Sequence, residues 1–268
     1  MKLRDFRDYF TLRRMTANPW EIIRFRKAQR SGRTLEVRMV DGPPLFIRGG
    51  LHDFHFFSRI YLRDEYRLSG YSDWECVVDL GANVGLFSAR ASTISQRVIA
   101  YEPVPMNFEQ LRLSTRFCRN VVAVKTAVAG KAGLLRIYRP RKPNRTGAHS
   151  ACFDLDGQMS ETYDEVHAIT LDELFRRHEI KHCDLLKLDV EGKEYEVLCE
   201  ASDEVFRRIR RIHGEYHSVT PRDPRAQIDH LTEFLRSKGY TTEIVSNRKR
   251  PNFGLFFATQ LGLARGGA

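Results

Sequence analysis

The chain has 268 residues, of which 42% are hydrophobic, and 44 Lys and Arg outnumber 34 Asp and Glu. This length suits one large α/β domain with an added segment, and the apolar fraction allows a substantial core. No apolar run approaches the roughly 20 residues that span a bilayer. The first residues carry too many charges for the apolar region of a signal peptide, so none is expected. Five cysteines without a CxxC pair favour neither a disulfide framework nor a thiolate zinc site. We therefore expect a cytoplasmic protein.

The positive charge is concentrated at the amino-terminal end. Residues 1–33 hold ten Lys and Arg and three acids, so they carry +7 of the total net charge of +10. A basic segment with interspersed aromatic residues can contact an anionic membrane surface, nucleic acid or a phosphorylated substrate. The alternative is a solvated helical extension that packs on the domain through its aromatic face.

Residues 1–70 are predicted to form an accessory region. Asn18 and Pro19 are typical of a helix N-cap and first helical position. Asp41 and Gly42, between two short apolar runs, are typical of a hairpin turn. The predicted elements are helices over 3–15, 19–32 and 52–62 and a hairpin over 35–48.

Residues 71–268 are predicted to form a second part in which strands and helices alternate. Such alternation indicates a mostly parallel, Rossmann-like sheet with helices on both faces. Seven strands are predicted over 76–80, 97–102, 121–128, 184–190, 209–217, 241–245 and 253–260, with a small extra strand over 134–139. The predicted helices cover 85–96, 105–117, 170–178, 192–200 and 224–238. Residues 140–165 lack periodicity, which predicts a lid or substrate loop.

A glycine turn follows the first strand of this part. Gly81 and Gly85 allow close backbone approach or positive φ, and Asn83 tolerates the left-handed region. Asp79 ends the strand, where it can order the loop or meet a cationic amino group. Glu102 stands at the tip of the second strand, where an acid accepts hydrogen bonds from ribose hydroxyls. These five residues predict a nucleoside cofactor site.

The spacing of the turn narrows the choice of nucleoside. Dinucleotide sites use G-x-G-x-x-G with the pyrophosphate at the helix N-terminus. Here the turn reads Gly81-Ala-Asn-Val-Gly85, which does not support that phosphate cradle. Asp79 and Glu102 are unfavourable beside a pyrophosphate but suit a sulfonium ligand with an amino group and a free ribose.

A second polar group follows a later strand. Asp189 and Glu191 end the buried run Leu-Leu-Lys-Leu at 185–188, and ligands of open α/β sheets bind at this end of the strands. Either acid can orient a hydroxyl, receive its proton or hold a cation, although two acids are too few to predict a metal. His217, at the end of the next strand, is the other candidate base. Glu194 is interpreted as an acid that suits a helix N-terminus.

These segments together resemble the FkbM family of methyltransferases. The resemblance covers about residues 75–217, and VVDLGANVGLFS (77–88), AYEPVPMNFEQL (100–111), TLDEL (170–174), LLKLDVEGKEYEVL (185–198) and GEYH (214–217) carry it. It implies a class I methyltransferase fold with a seven-stranded sheet, S-adenosylmethionine as donor and, usually, a hydroxyl oxygen as acceptor. By position it places Asp79, Gly81, Asn83, Gly85 and Glu102 at the cofactor, and Asp189 and Glu191 at the transfer centre.

The resemblance leaves the acceptor open. Known relatives modify natural products and sugars, so a small-molecule or saccharide acceptor is expected. An RNA methyltransferase would explain the basic amino-terminal segment, but the chain lacks the Asn/Asp-Pro-Pro-aromatic motif of amino-group methylation, so nucleic acid is not the expected partner. The remaining rival is a binding module at the membrane surface, without catalysis.

Overall fold

The computed structural model describes residues 3–28, 32–141, 159–217, 226–247 and 253–262. The helices are α1 (Leu3–Met15), α2 (Pro19–Ala28), α3 (Asp53–Phe57), α4 (Leu86–Ala91), α5 (Pro105–Thr115), α6 (Leu171–Arg177), α7 (Glu194–Cys199), α8 (Asp203–Arg208) and α9 (Ala226–Ser237), with a π-helical turn at Ser58–Leu62. The strands are β1 (Thr34–Val37), β2 (Leu45–Arg48), β3 (Trp74–Leu80), β4 (Ser95–Tyr101), β5 (Val121–Val124), β6 (Ala127–Val128), β7 (Gly133–Pro140), β8 (Met159–Ile169), β9 (Leu185–Leu188), β10 (Arg211–His217), β11 (Tyr240–Ser246) and β12 (Phe253–Gln260).

A seven-stranded sheet forms the centre, in the order β11-β12-β10-β9-β3-β4-β5. Strand β12 runs antiparallel to both of its neighbours, and the other adjacent pairs are parallel. The chain therefore builds outward from β3 in one direction through β4 and β5, and later returns beside β3 with β9. This change of direction opens a crevice at the carboxyl ends of β3 and β9, where ligands of such sheets bind. The prediction of seven strands in a mostly parallel sheet is confirmed.

The central strands are apolar because both of their faces are covered. Val78 and Leu80 of β3 and Leu186 and Leu188 of β9 are fully buried in one cluster. Val77 belongs to a second cluster on the opposite face. Strands buried on both faces have continuous apolar runs rather than alternation, which is the pattern of their sequences.

The amino-terminal elements pack on this second face. Ile22 of α2, Ile47 of β2 and Phe57 of α3 share a buried cluster with Val77 and Phe87 of the sheet domain. Leu12, Ile22 and Ile23 of the extension are buried in this cluster, and Tyr9 and Phe25 pack against it. Phe10 and Trp20 are 55% and 36% exposed. The extension therefore packs on the domain as the second alternative expected, but through aliphatic as well as aromatic side chains. The boundary near residue 70 stays a prediction.

One predicted loop is largely a strand where the structure describes it. Residues 159–165 belong to β8, which pairs antiparallel with β7 and parallel with β6 in a small three-stranded sheet. The loop prediction is wrong there because most side chains of this stretch are exposed, so burial imposes no apolar pattern. Residues 142–158 of the predicted loop lie outside the described residues.

Three further elements differ from the sequence predictions: one strand is divided, one is shorter and one helix is new. The apolar run at 121–128 divides into β5 and β6, which belong to different sheets. The predicted strand over 184–190 ends at Leu188, so Asp189 is the first residue beyond it. Helix α8 was not predicted, although Ser202 caps it by accepting a hydrogen bond from the Val205 amide. Across the described ranges, no helix is long and apolar enough to cross a membrane.

Candidate active site

The turn from β3 into α4 brings backbone close to backbone. Gly81 and Gly85 have φ of +72° and +82°, and Asn83 has φ of +50°. A Cβ atom at Gly81 would stand 1.8 Å from the carbonyl oxygen of Asp189. A side chain at residue 81 would thus block the approach of this turn to the loop after β9, and the crevice is built from both segments.

Glu102 follows β4 and holds the glycine turn. Its Oε2 accepts a hydrogen bond from the Asn83 amide, and its Oε1 accepts one from the Val104 amide, both at 2.8 Å. Burial raises the pKa of Glu102 to about 7, although these two amides oppose the rise. Each carboxylate oxygen can accept a second hydrogen bond. Glu102 can therefore receive two hydroxyl groups of a ribose.

An open cleft lies over the carboxyl ends of β3 and β4. Its lining includes Gly81, Asn83 and Glu102 from the predicted cofactor set, and apolar side chains such as Val104 and Val128. Asn83 Oδ1 is buried without a hydrogen-bond partner among the described residues. An apolar wall, an acid with spare acceptor capacity and an unsatisfied amide oxygen fit the base, the ribose and a polar tail of a nucleoside.

Asp79 lies beneath this cleft rather than in it. It is fully buried, its Oδ2 accepts a hydrogen bond from Ser88 Oγ at 2.6 Å, and its Oδ1 is 3.1 Å from Lys187 Nζ. Lys187 also donates to the Gly81 carbonyl at 2.7 Å. Burial alone lowers the pKa of Lys187, but Asp79 and Asp189 outweigh it, so the net shift is upward. Of the two roles expected for Asp79, this geometry favours ordering of the loop.

Asp189 lies between the cofactor cleft and a second cavity, and it lines both. Its Oδ2 accepts a hydrogen bond from the Tyr66 hydroxyl at 3.1 Å. Its Oδ1 is buried and has no hydrogen-bond partner within the described part of the chain. Burial raises the pKa of Asp189, but Lys187 and His217 outweigh it, so the pKa is lowered and the group is ionised. Asp189 is thus an ionised residue in the walls of two cavities, with one oxygen that no described group satisfies.

His217 joins Asp189 and Glu191 at the ends of β9 and β10. Its Nδ1 is 3.0 Å from Glu194 Oε1, and its Nε2 is 3.4 Å from Glu191 Oε2. Burial lowers the pKa of His217, but Glu194 and Glu191 outweigh it and raise the pKa well above its usual value. Glu194 also accepts hydrogen bonds from the Val190 and Gly192 amides. Glu194 therefore contacts His217 as well as the backbone amides that precede α7.

The second cavity has a wall from the accessory region. It is lined by Phe56, Arg59, Ile60 and Tyr66 together with Phe87 of the sheet domain. Arg59 pairs with Glu215 of β10 at 2.6 Å and also with Glu65, so the π-helical turn is tied to the sheet. No sequence motif points to Arg59 or Tyr66. Arg59 contacts Glu215 and Tyr66 contacts Asp189, and each pair is more than 100 positions apart in the chain. This cavity adjoins the cofactor cleft, and Asp189 lines both.

Together, this sheet order, the glycine turn, the acid after the second strand and the polar cluster after β9 define a class I, Rossmann-like, S-adenosylmethionine-dependent methyltransferase. The chain belongs to the FkbM methyltransferase family, whose domain matches residues 79–242. The expected family and fold class are thus confirmed. The roles assigned to individual site residues stay predictions.

Two curated relatives and one solved structure give the context. The chain is 28% identical over 215 residues to 31-O-demethyl-FK506 methyltransferase FkbM of Streptomyces tacrolimicus, covering 69% of this chain and 79% of that protein. It is 27% identical over 177 residues to hexuronic acid methyltransferase AglP of Haloferax volcanii, covering 65% and 67%. An rRNA methylase from Streptococcus thermophilus superposes with a TM-score of 0.45 and 13% identity, over 75% of this chain and 96% of that one.

Proposed function

We propose that the protein transfers a methyl group from S-adenosylmethionine to a hydroxyl oxygen of a sugar, a polysaccharide precursor or a natural product. The observation that carries the proposal is that Asp189 lines both the cofactor cleft and the second cavity, and that its buried Oδ1 has no hydrogen-bond partner among the described residues. Two relatives support this acceptor class, since one is described by an O-demethyl substrate and the other by a hexuronic acid.

The residues of the cofactor cleft fit this donor. Glu102 would hold the ribose, Asn83 Oδ1 would accept from the polar tail, and the bare backbone at Gly81 and Gly85 would let the ligand lie close to the turn. Bound there, S-adenosylmethionine supplies an electrophilic methyl group on a sulfonium. The main contribution of the protein is alignment of the two reactants with exclusion of water, and orientation alone can reach effective molarities of about 10⁵ M or more.

The acceptor hydroxyl would sit in the second cavity against Asp189. Its oxygen forms a bond to the methyl carbon while the carbon–sulfur bond breaks, and the electron pair of that bond stays on sulfur in S-adenosylhomocysteine. The hydroxyl proton passes to the cluster of Asp189, Glu191 and His217, in which Asp189 Oδ1 has no hydrogen-bond partner among the described residues. Tyr66 holds the other oxygen of Asp189 in place. General-base assistance of this kind contributes about 10²–10⁴-fold.

Cofactor binding should depend on the ionised form of Glu102. Because burial places the pKa of Glu102 near 7, the carboxylate accepts ribose hydrogen bonds at pH 8 and is mostly protonated at pH 6. Only the ionised form offers all its lone pairs, so affinity should fall about tenfold from pH 8 to pH 6. Calorimetric titration with S-adenosylmethionine and S-adenosylhomocysteine at both pH values measures this change.

Glu102→Gln is the control for this titration. The variant should bind at least about tenfold more weakly than wild type at pH 8, and it should lose the part of the pH dependence that Glu102 causes. Titration of the ligand itself affects both proteins equally, so it cancels when their pH dependences of affinity are compared. Equal affinity and equal pH dependence in the two proteins would remove Glu102 from the ribose site. Failure of folded wild type to bind either ligand would sink the proposed function.

We also propose cytoplasmic location with contact between the amino-terminal helices and the inner membrane surface. Phe10 and Trp20 are exposed on α1 and α2, and Arg13 lies 6.0 Å from the Phe10 ring. Exposed aromatic rings beside basic residues bind anionic bilayers.

Flotation with vesicles containing phosphatidylserine should carry the full chain upward, and Phe10→Ser should reduce the floating fraction. Arg207→Gln, on α8 of the sheet domain, should float like wild type. Absence of flotation would exclude the contact.

A further inference from the structure

The polar groups at the ends of β9 and β10 are of the types that bind metal ions. Asp189, Glu191 and His217 each offer one ligand atom, and these atoms lie within 4.8 Å of one another. His217 Nε2 and Glu191 Oε2 are 3.4 Å apart. Two ligands that bind one ion at about 2.1 Å stand roughly 3–4 Å apart. The His217–Glu191 pair therefore has the spacing of ligands to one ion, and a ligand atom of Asp189 lies within 4.8 Å of both.

The surroundings of His217 match those of a metal-binding histidine. Its Nδ1 lies 3.0 Å from Glu194 Oε1, and that carboxylate is held by the Gly192 amide at 3.1 Å. A carboxylate that accepts a backbone hydrogen bond accepts from Nδ1 as well, which keeps a proton on Nδ1. A metal ion would displace the proton from Nε2, and this nitrogen would then be the ligand atom beside Glu191. Metal-binding histidines commonly have such a carboxylate partner on the other ring nitrogen.

Asp189 supplies an independent sign that something is bound here. The Tyr66 hydroxyl satisfies Oδ2, whereas Oδ1 is out of contact with water and has no hydrogen-bond partner in the described ranges. A buried carboxylate oxygen without a partner is unfavourable, so a ligand is expected to complete it. A cation at this position would satisfy Oδ1 without displacing Tyr66.

We propose that Asp189, Glu191 and His217 bind one divalent transition-metal ion, such as Mn²⁺, beside the acceptor cavity. One imidazole nitrogen and two carboxylate oxygens suit such an ion better than Mg²⁺ or Ca²⁺, which prefer oxygen ligands alone. Three protein ligands leave coordination positions for the acceptor oxygen, whose hydroxyl pKa the ion would lower. This catalytic role rests on the proposed methyl transfer, whereas binding of the ion does not.

The test is binding of Mn²⁺ to the full chain after removal of metals by a chelator. Loss of the free Mn²⁺ resonance on titration should show one ion per chain. Glu191→Gln and His217→Gln should each weaken binding at least about tenfold, the effect that even outer-shell changes reach. The matched control is Glu243→Gln. Glu243 lies on β11, away from the cluster, and is an exposed acid that pairs with Arg67. It should bind as wild type does.

A second measurement needs no variant. Electron spin echo modulation of Mn²⁺ on wild type should contain the nitrogen coupling of a bound imidazole. Folded wild type that binds no Mn²⁺, a spectrum without nitrogen coupling, or equal affinity in wild type and Glu191→Gln would each overturn the proposal. Binding of S-adenosylmethionine to the chelator-treated protein is measured in parallel. If that binding persists while Mn²⁺ binding fails, the metal site falls and the proposed function stands.

Discussion

Replacing Asp189 by asparagine is expected to lower kcat by about 10²–10⁴-fold while leaving S-adenosylmethionine affinity within about threefold of wild type. The two side chains have nearly the same shape, so the cavity is kept. Because the Tyr66 hydroxyl donates to one oxygen of residue 189, the asparagine carbonyl should take that position. Its NH₂ group then occupies the position of Oδ1, which has no partner within the described residues, and presents a donor where the proposed reaction needs an acceptor.

The measurement pairs steady-state turnover with calorimetry of the cofactor. Asp203→Asn is a suitable control, because Asp203 is an exposed acid at the start of α8 that pairs with Lys238 and does not line the cavity. It should keep wild-type kcat and affinity. Normal turnover by Asp189→Asn would exclude Asp189 from the reaction. If the affinity for S-adenosylmethionine fell by as large a factor as kcat, Asp189 would act in binding of the methyl donor instead.

Replacing Gly81 by alanine is expected to destabilise the fold by about 2–5 kcal/mol, from a strained left-handed backbone and overpacking together. Gly81 has φ of +72°, and its added Cβ would meet the Asp189 carbonyl oxygen at 1.8 Å. The neighbouring backbone has little room to yield, because the Gly81 amide donates to Tyr101 and its carbonyl accepts from Lys187. The same movement would spoil the cofactor cleft.

Gly70→Ala separates the two contributions to this loss. Gly70 has φ of +86° but nothing within 4 Å of an added Cβ, so its variant carries only the conformational cost of about 1–2 kcal/mol. Urea unfolding followed by tryptophan fluorescence gives both free energies of unfolding. Equal destabilisation of the two variants would show that residue 81 does not approach the loop after β9 as closely as the structure has it.

The residues expected at the cofactor lie in short, local motifs, and four of the five line the cleft or its turn. Gly81, Asn83 and Gly85 follow a strand directly, so their backbone conformations depend on neighbours a few positions away. Asn83 adopts the left-handed region, as its residue type allows. Asp79 differs, because the sequence left two roles open and only its contact with Lys187, on another strand, separates them.

What the sequence determined by itself is the set of features that depend on local periodicity and local backbone conformation. Apolar runs of strand length alternating with helices specified the parallel sheet, and the residue that ends each strand was placed at the crevice for the same reason. Residues 160–165 of β8 show the limit of this signal, because most of their side chains are exposed and no apolar pattern marks the strand.

Only the tertiary structure decided which of these polar groups meet. Tyr66 reaches Asp189 across 123 positions, and Glu194 reaches His217 across 23. Such contacts depend on how α3, the π-helical turn and β10 pack around β9, and packing of remote elements has no periodic signature in the chain. The sequence therefore names the candidate residues Asp189, Glu191 and His217, but their grouping around one small space follows from the order of the strands.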